Sequence, residues 1–339
     1  MPVPFFYLKV ISDENLLPFM KERRIGKTNL RVSEIGFGGW PIGGGSYGPV
    51  DDAASLDALD AAWDSGINFF DTADVYGEGH SEELLGTFLK TKRREQAVIA
   101  TKGGWDFYHG AHVKNFTPEH LRNACENSLK RLGVETIDLY QLHNPSLEMI
   151  RKKEIVNVLS LLKKEGKIRY IGMSVHTEVE AFAALQDPRV SAIQIIFNLM
   201  DQRMVERVFP EADKQNAGII VREPLASGML SGDYLPSHEF PKDDHRRRWL
   251  PAKREADWQK VKCLQNALKD KKIPLTQAAL EFILSFDVVS SAIPGAKTRT
   301  QVLANAAASL APELEREDID RLETLYAQEQ IFRQGMNPK

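Results

Sequence analysis

Four side chains that together can move a proton lie in the first half of the sequence. Asp71 and Tyr76 lie five residues apart in "FFDTADVYG". Lys102 lies near the end of a second apolar run, "AVIATKG", and His143 ends a third, "IDLYQLH". A neighbouring ammonium lowers the pKa of a phenol, and an aspartate can keep that ammonium charged and in place. The set predicts a tyrosine that gives a proton to a carbonyl oxygen as hydride arrives at carbon.

The same residues also have a structural interpretation. Asp71 and Lys102 could form a buried ion pair, with His143 as a capping residue, because charged groups are costly to bury unless they are paired. Taken singly, each of these residues favours that interpretation. Tyr76, one loop beyond Asp71, favours the chemical one, because the four types together make a proton-transfer unit.

A metal site is a weaker hypothesis. His109 and His112 in "FYHGAHV" are three residues apart in a predicted loop, and no carboxylate accompanies them. This spacing favours a surface or substrate-loop role over metal binding. We therefore expect no metal.

The elements that must position these residues follow a repeating pattern. Short apolar runs rich in β-formers alternate with helical patterns, which predicts parallel strands joined by right-handed crossovers. Eight such units predict a (β/α)8 TIM barrel with its site at the carboxyl ends of the strands; an open doubly wound sheet is the alternative. The predicted strands are 33–39, 67–73, 97–103, 137–143, 170–175, 192–198, 218–224 and 290–295. The predicted helices are 51–66, 117–133, 151–166, 274–285 and 298–310.

Three segments lie outside this pattern. "RRIGKTNLRVS" predicts an N-terminal β-hairpin that turns at Thr28 and Asn29. The long polar stretch 231–272 follows the seventh strand, predicts a lid or binding loop, and looks helical over 256–270. Residues 1–19 are interpreted as an N-terminal extension of unknown role before a second possible start, and 20–339 as one barrel domain.

Composition excludes several kinds of partner. The chain has 44 basic and 47 acidic residues and no long single-sign block, which argues against nucleic acid and anionic membranes as partners. No apolar run approaches the length of a membrane span. Cys125 and Cys263 form neither a disulfide framework nor a metal-ligand spacing, so we expect a reducing, cytoplasmic setting. The sequence does not determine the oligomeric state.

A glycine-rich motif predicts a different nucleotide site. Gly43, Gly45 and Gly48 satisfy G-x-G-x-x-G, and Asp71 lies near the distance expected for the acidic residue of a dinucleotide fingerprint. In that fingerprint the third glycine lies inside the helix, whereas here Pro49 follows and the helical pattern starts later. The fingerprint explains neither the lysine nor the histidine. The glycines more simply let the first loop pass close to a ligand.

The ordered motifs resemble those of the aldo-keto reductase superfamily. Its "FDTAxxYG" matches Phe70 to Gly77, its "TK" matches Thr101 and Lys102, and its "LHN" matches His143, within a resemblance that covers about residues 22–330. The resemblance implies that Asp71, Tyr76, Lys102 and His143 are a catalytic tetrad, with Tyr76 as general acid/base. It implies reversible hydride transfer between NADP(H) and an aldehyde, ketone or sugar carbonyl. Potassium-channel β subunits share the fold, so a regulatory nicotinamide-binding barrel is the alternative.

The resemblance also implies where the cofactor lies. Ser174 and Gln194 would hold the nicotinamide carboxamide, although Val175 stands where many members have asparagine. Arg222 stands where many members stack a tyrosine on the nicotinamide, and a planar guanidinium could stack there. Further cofactor contacts are expected from the first loop, the second strand and the loop after strand seven, at Gly39, Trp40, Asp71, Pro224, Leu225, Ala226, Ser227, Gly228 and Leu230.

The adenosine 2′-phosphate is expected at "IPGAKTRTQVLANAA". The helix start and the basic charges there favour a phosphate and hence NADPH over NADH. The implied contacts are Gly295, Lys297, Thr298, Arg299, Gln301 and Asn305, of which Gln301 stands where many members have arginine. The substrate is expected against Trp40, Tyr76, Trp105 and His143, with Tyr47 and Phe107 as further aromatic candidates.

Overall fold

The alternation of apolar runs and helical patterns produces one parallel sheet in this computed structural model. The structure describes residues 20–333 apart from 109, 111 and 311, so the predicted extension 1–19 lies outside the described residues. Eight strands lie side by side in chain order. They are β3 (Phe37–Gly38), β4 (Phe69–Asp71), β5 (Val98–Gly103), β8 (Ile137–His143), β9 (Ile168–Ser174), β10 (Val190–Ile196), β11 (Gly218–Arg222) and β12 (Val289–Ala292).

The first and last strands close the sheet into a barrel. Parallel bridges join Ile35 to Ala292 and Gly38 to Gly295. The Gly36 N–H donates to the Ala292 carbonyl at 2.8 Å. The predicted (β/α)8 barrel is therefore confirmed, and the open doubly wound sheet is wrong. The predicted strands 33–39 and 290–295 are shortened, because closure uses isolated bridges in place of a continuous ladder.

A hairpin plugs the amino-terminal end of the barrel, as the sequence predicts. Its strands are β1 (Glu22–Arg24) and β2 (Arg31–Ser33), and the Thr28 N–H donates to the Ile25 carbonyl in the turn. Apolar side chains of the hairpin pack with residues of five strands and with Ile293, just after β12, in a separate core cluster, Ile25, Leu30, Val32, Phe69, Ala100, Leu139, Ala192, Ile220 and Ile293. The open mouth is therefore at the opposite end, where the strands finish.

The helices surround the sheet. Local signals explain several boundaries: Thr117 caps a helix by accepting from the His120 N–H, and Gly133 ends it in the left-handed conformation. Among the described residues, no helix is both long and apolar enough to cross a bilayer. The helices are α1 (Asp52–Asp64), α2 (His80–Leu89), α3 (Pro118–Leu132), α4 (Leu147–Lys152), α5 (Glu154–Lys164), α6 (Glu178–Leu185), α7 (Val208–Lys214), α8 (Pro251–Ala267), α9 (Leu275–Leu284), α10 (Arg299–Leu310), α11 (Arg316–Gln328) and α12 (Gln330–Arg333).

Two helix predictions differ from the structure. The predicted helix 151–166 is divided between α4 and α5, because Lys153 takes φ of 58° and ends the first of them. In the long insertion, α8 begins at Pro251, earlier than the predicted 256, since proline is favoured at the first helical position. A short antiparallel pair, β6 (Trp105–Asp106) and β7 (Val113–Lys114), also follows β5.

We expect Arg23→Met to lower the free energy of unfolding by about 2–4 kcal/mol. The Arg23 guanidinium ties the hairpin to the end of α9, the following turn and the start of β12 by donating to the carbonyls of Leu284, Phe286 and Val289. It also pairs with the buried Glu34 carboxylate at 2.9 Å. Denaturant unfolding would measure the loss. Arg24→Met is the matched control, because the neighbouring side chain is exposed; equal losses in both variants would contradict the role of Arg23.

Candidate active site

Strand ends bring the predicted chemical residues to one mouth. Asp71 is the last residue of β4, His143 the last of β8, and Lys102 the penultimate residue of β5. Tyr76 lies in the loop after β4, where Gly77 has φ of 63°. A side chain at Gly77 would collide with the Gly43 backbone, so glycine lets this loop press against the first loop. The packing holds Tyr76 over the end of the barrel.

The Lys102 ammonium is fully buried and uses all three of its N–H bonds. Its Nζ atom lies 2.5 Å from Asp71 Oδ1, 2.9 Å from the Thr72 carbonyl and 3.3 Å from the Tyr76 hydroxyl. Two of these acceptors fix the ammonium and leave the third N–H directed at the phenol. The predicted Asp–Lys–Tyr arrangement is thus present in the geometry.

Electrostatics gives the three titrating groups distinct states. Burial raises the pKa of Tyr76 above its ordinary value; Lys102 lowers that pKa, as the sequence predicts, but has the smaller effect. Burial alone would lower the pKa of Lys102, but Asp71 and Tyr76 overcome this and raise it. Burial, and then Lys102, hold the pKa of His143 well below its usual range. At neutral pH the site holds a phenol, an ammonium and a neutral imidazole.

The second oxygen of Asp71 binds two buried amides. Gln141 Nε2 donates to Asp71 Oδ2 at 3.0 Å, and Gln194 Nε2 donates to the same atom at 2.7 Å. The absence of a side chain at Gly172 makes room for Gln141, because a Cβ there would lie 2.8 Å from its Cγ. Sequence reasoning missed Gln141; its place two residues before His143 on a fully buried strand was the available signal.

A cavity of about 1070 Å³ opens above these residues. Trp40 stacks on Tyr76 with ring centroids 6.0 Å apart, and Trp105 meets His143 edge-on at 6.4 Å. The four residues expected to contact substrate therefore lie together on the cavity wall. Phe107 does not line this cavity among the described residues; it is buried and stacks on Tyr108.

Many residues expected to contact a cofactor line the same cavity, namely Gly39, Trp40, Asp71, Gln194, Arg222, Pro224, Leu225, Ser227, Gly228, Gly295, Lys297 and Gln301. Among the described residues, six expected cofactor contacts do not line the cavity: Ser174, Ala226, Leu230, Thr298, Arg299 and Asn305. Of these, Ser174 lies directly beneath the wall, since its hydroxyl donates to Asn144 Oδ1 at 3.4 Å. Arg299 points elsewhere and pairs with Asp57 at 2.7 Å.

The loop after β11 has an unusual backbone. Glu223, Ala226 and Ser227 all take positive φ, at 52°, 49° and 54°. Such conformations cost about 1–3 kcal/mol each outside glycine and persist where the surroundings hold them, commonly at binding sites. Arg222 is fixed beside this loop by Glu223 at 3.1 Å and His176 at 2.8 Å. The loop forms one wall of the cavity.

Tyr47 joins three loops over the cavity. Lys297 Nζ donates to the Tyr47 carbonyl at 2.7 Å, and Tyr47 forms a backbone bridge with Asp244 of the long insertion. The Arg246 guanidinium lies 5.1 Å from the Tyr47 ring centroid. The predicted lid segment therefore reaches the cavity mouth, where Tyr234, Arg246 and Arg248 line it. Sequence reasoning named Tyr47 only as an aromatic candidate and missed Asp244 and Arg246.

Unsatisfied polar atoms test whether a nicotinamide amide fits. Gln194 lines the cavity, and its Oε1 atom is buried and accepts no hydrogen bond from any described residue. Asn144 also lines the cavity, next to Ser174. Buried polar atoms in proteins almost always find partners. Asn144 and Gln194 are amides that both donate and accept hydrogen bonds, which is the chemistry that a carboxamide requires of its partners.

The structure describes one of the two histidines considered for a metal site. His112 lies 2.9 Å from Glu78 at the cavity rim, and His109 lies outside the described residues. Within the described part of the chain, no group of three or more His, Cys, Asp or Glu side chains could hold a metal ion.

A family model described as the Aldo/keto reductase family matches residues 34–327. The chain belongs to this aldo-keto reductase family. It is similar in structure to the aldo-keto reductase AKR11C1 from Bacillus halodurans in its holo form, with a TM-score of 0.77 and 31% identity over 90% of this chain and 96% of that one. It is equally similar to the glycerol dehydrogenase AKR11B4 from Gluconobacter oxydans, with a TM-score of 0.77 and 30% identity over 94% and 97%.

A curated relative adds information on the cofactor. The NADH-specific methylglyoxal reductase of Escherichia coli is 34% identical over 64% of this chain and 72% of its own length. As an aldo-keto reductase, this chain is an oxidoreductase of a family that uses a nicotinamide cofactor and small carbonyl substrates.

We expect Gly77→Ala to reduce turnover of an accepted carbonyl at least about tenfold, because displacing the loop moves the Tyr76 hydroxyl from Lys102. The matched control is Gly45→Ala. Gly45 has a similar φ of 69°, but a Cβ there meets no atom within 4 Å, so only the backbone strain is shared. Steady-state rates and melting temperatures of both variants would separate the effect of the collision with Gly43 from the effect of backbone strain. Comparable rates in the two variants would contradict the proposed fit between the loops.

Proposed function

We propose that this aldo-keto reductase transfers hydride reversibly between NADP(H) and the carbonyl of a small aldehyde, ketone or sugar, with Tyr76 as general acid/base. The contact of the Lys102 ammonium with both Asp71 and the Tyr76 hydroxyl carries the proposal. It lies at the floor of a cavity large enough for a dinucleotide and a small substrate. Relatives named for glycerol and methylglyoxal support substrates with few carbon atoms.

The chain's own residues supply the proton. The bound cofactor supplies or accepts hydride at the substrate carbon. In reduction, Tyr76 gives its phenolic proton to the carbonyl oxygen, and the Lys102 ammonium, 3.3 Å away, stabilises the phenolate that remains. In alcohol oxidation the phenolate takes the proton back. Asp71 keeps the lysine charged and oriented in both directions.

His143 orients the substrate in this proposal. Its imidazole is neutral at physiological pH, because burial and Lys102 lower its pKa, so it acts as a hydrogen-bond donor to the carbonyl oxygen and not as a charged acid. Trp40 and Trp105 flank Tyr76 and His143 and form the aromatic walls against which a small carbonyl compound packs.

The cofactor is proposed to run along the cavity from β9 to the β12–α10 loop. Ser174, Asn144 and Gln194 hold the carboxamide, and Arg222 packs against the nicotinamide ring. Residues 224–230 contact the pyrophosphate, as the strained backbone there suggests. The adenosine end is assigned to Gly295, Lys297, Thr298, Gln301 and Asn305, of which Gly295, Lys297 and Gln301 line the cavity.

Tyr76→Phe should lower carbonyl reduction by about 10²–10⁴-fold, because it removes the acidic proton and keeps the ring. Lys102→Met should be comparably severe, and Asp71→Asn milder, since the ammonium could remain.

Reduction needs the phenol and should stay constant until the pH passes the raised pKa of Tyr76, above the ordinary 10.0, while alcohol oxidation should rise with pH. Steady-state rates across pH with a panel of aldehydes, ketones and sugars would measure this.

Cofactor binding, measured by fluorescence titration, is the control and should survive in Tyr76→Phe. Near wild-type turnover of Tyr76→Phe on every accepted carbonyl would refute the role of the phenol. A wild-type chain that binds NADPH tightly but turns over no carbonyl would support the regulatory alternative of the potassium-channel β-subunit type.

NADPH preference is proposed to depend on Lys297. Lys297→Ala should weaken NADPH binding by about ten- to a hundredfold and spare NADH, because a charge-assisted contact to the 2′-phosphate is lost. Arg299→Ala is the control and should have a smaller effect, since Arg299 is exposed and already paired with Asp57. Dissociation constants of NADPH and NADH for wild type and both variants would measure these effects. Tighter wild-type binding of NADH, or equal weakening of both cofactors, would overturn the assignment.

A further inference from the structure

Glu78 and His112 form a polar pair at the rim of the cavity. Glu78 comes two residues after Tyr76, so the Cα atoms of these two residues are at most about 7.6 Å apart. His112 lies in the turn between β6 and β7. Both residues line the cavity, and the side chains of Glu78 and His112 are 61% and 48% exposed. A compound in the cavity can therefore reach both of them.

The loop that carries Glu78 is positioned by its own packing. Glu78 takes φ of 56° and lies between two glycines, Gly77 and Gly79, that also take positive φ. A Cβ at Gly79 would lie 2.6 Å from the Arg131 side chain, and one at Gly77 would overlap the first loop. Residues other than glycine rarely adopt this conformation, and where they do the surroundings hold them in it, commonly at binding sites. This packing places Glu78 independently of His112, which favours a role for their contact in binding over a purely structural one.

The pair offers two hydrogen-bond acceptors to a ligand. A carboxylate only accepts hydrogen bonds, so the contact of 2.9 Å between His112 Nε2 and Glu78 Oε1 places the ring proton on Nε2. In the neutral ring, Nδ1 is then an acceptor. Among the described residues, none donates a hydrogen bond to Glu78 Oε2 or to His112 Nδ1. Both atoms match a ligand group that donates a hydrogen bond, as a hydroxyl does.

The β6–β7 hairpin connects this pair to the floor of the cavity. Trp105 of β6 pairs in register with Lys114, two residues after His112. The Trp105 ring also meets His143 edge-on at 6.4 Å. Ligand pockets are commonly lined by aromatic rings, with a few polar groups that fix orientation and provide specificity. The hairpin provides both, with the indole of Trp105 near the floor and the acceptors at the rim.

We propose that Glu78 and His112 determine substrate specificity by binding a substrate hydroxyl group, so that the preferred substrate is a short hydroxyaldehyde or hydroxyketone. With the carbonyl oxygen at Tyr76, a hydroxyl group further along the carbon chain donates to Glu78 Oε2 or His112 Nδ1. The inference rests on the proposed reduction of a carbonyl at Tyr76, and it adds which carbonyl compounds are preferred. An aldehyde of the same length without the hydroxyl group leaves both acceptors to water.

The test is a selectivity ratio, kcat/KM for glyceraldehyde divided by kcat/KM for propanal, which has the same carbon chain without hydroxyl groups. Erythrose and butanal provide a second pair with a longer chain. Glu78→Ala should lower the ratio about two- to tenfold, because a hydrogen bond to the hydroxylated substrate is lost. The loss should lie in the KM of the hydroxylated substrate, and turnover of propanal should stay near the wild-type value. Comparing the same ratio between variants cancels the differences between the two aldehydes in water.

Glu83→Ala is the matched control, because Glu83 is a nearby carboxylate that is 62% exposed and does not line the cavity. Its selectivity ratio should equal that of wild type. His112→Leu provides an independent variant if Glu78→Ala does not fold, as judged by circular dichroism and thermal melting. It removes the second acceptor and should also lower the ratio.

An unchanged ratio in Glu78→Ala or in His112→Leu would overturn the inference. So would equal losses on the hydroxylated and plain aldehydes, which indicate that the pair only supports the hairpin, or an equal fall of the ratio in Glu83→Ala. Each of these results leaves the proposed function intact as long as wild type reduces the aldehydes. Wild type that reduces no carbonyl compound with either NADH or NADPH would refute both the inference and the proposed function.

Discussion

A buried ammonium imposes the main constraint on this structure. Lys102 has no exposed surface, and an unpaired buried charge would cost several kcal/mol or lose its proton. The barrel satisfies it with Asp71, the Thr72 carbonyl and the Tyr76 hydroxyl. Because Asp71 is itself buried, its other oxygen needs donors, and Gln141 and Gln194 supply them. The polar floor of the cavity follows from the requirement to hold one cation away from water.

The raised pKa of Tyr76 determines the protonation state of the phenol at the cavity floor. Burial keeps the phenol protonated at neutral pH, and Lys102 limits the rise without reversing it. The proposed role of Tyr76 as proton donor is consistent with this state, and the Lys102 ammonium lies where it would stabilise a phenolate. His143, kept neutral by the same burial and the same cation, complements this arrangement, since a second positive charge there would disfavour the ammonium.

The walls and roof of the cavity depend on contacts between distant parts of the chain. Tyr47 of the first loop contacts Lys297 near the last strand, Asp244 in the long insertion and the guanidinium of Arg246. The insertion thus contributes to the cavity through a few side chains, while α8 packs on the outside of the barrel. Glycine in the first loop allows the loops to approach this closely, because Gly43 lies against the Tyr76–Gly77 backbone with no room for a side chain.

The sequence by itself determined the order of elements, the barrel and the four residues at its mouth. Apolar runs that end at or near Asp71, Lys102 and His143 predict a shared site, because parallel strands place their carboxyl ends together. Local sequence missed α2, α6, α7, α11 and α12 and the break at Lys153, although Thr177 and Glu180 form a capping box that could have revealed α6. Only the tertiary structure decided the directions of the pKa shifts, the pairing of Arg299 with Asp57 and the contacts of Gln141 and Asn144. These depend on burial and on neighbours far away in the chain, and a one-dimensional pattern contains neither.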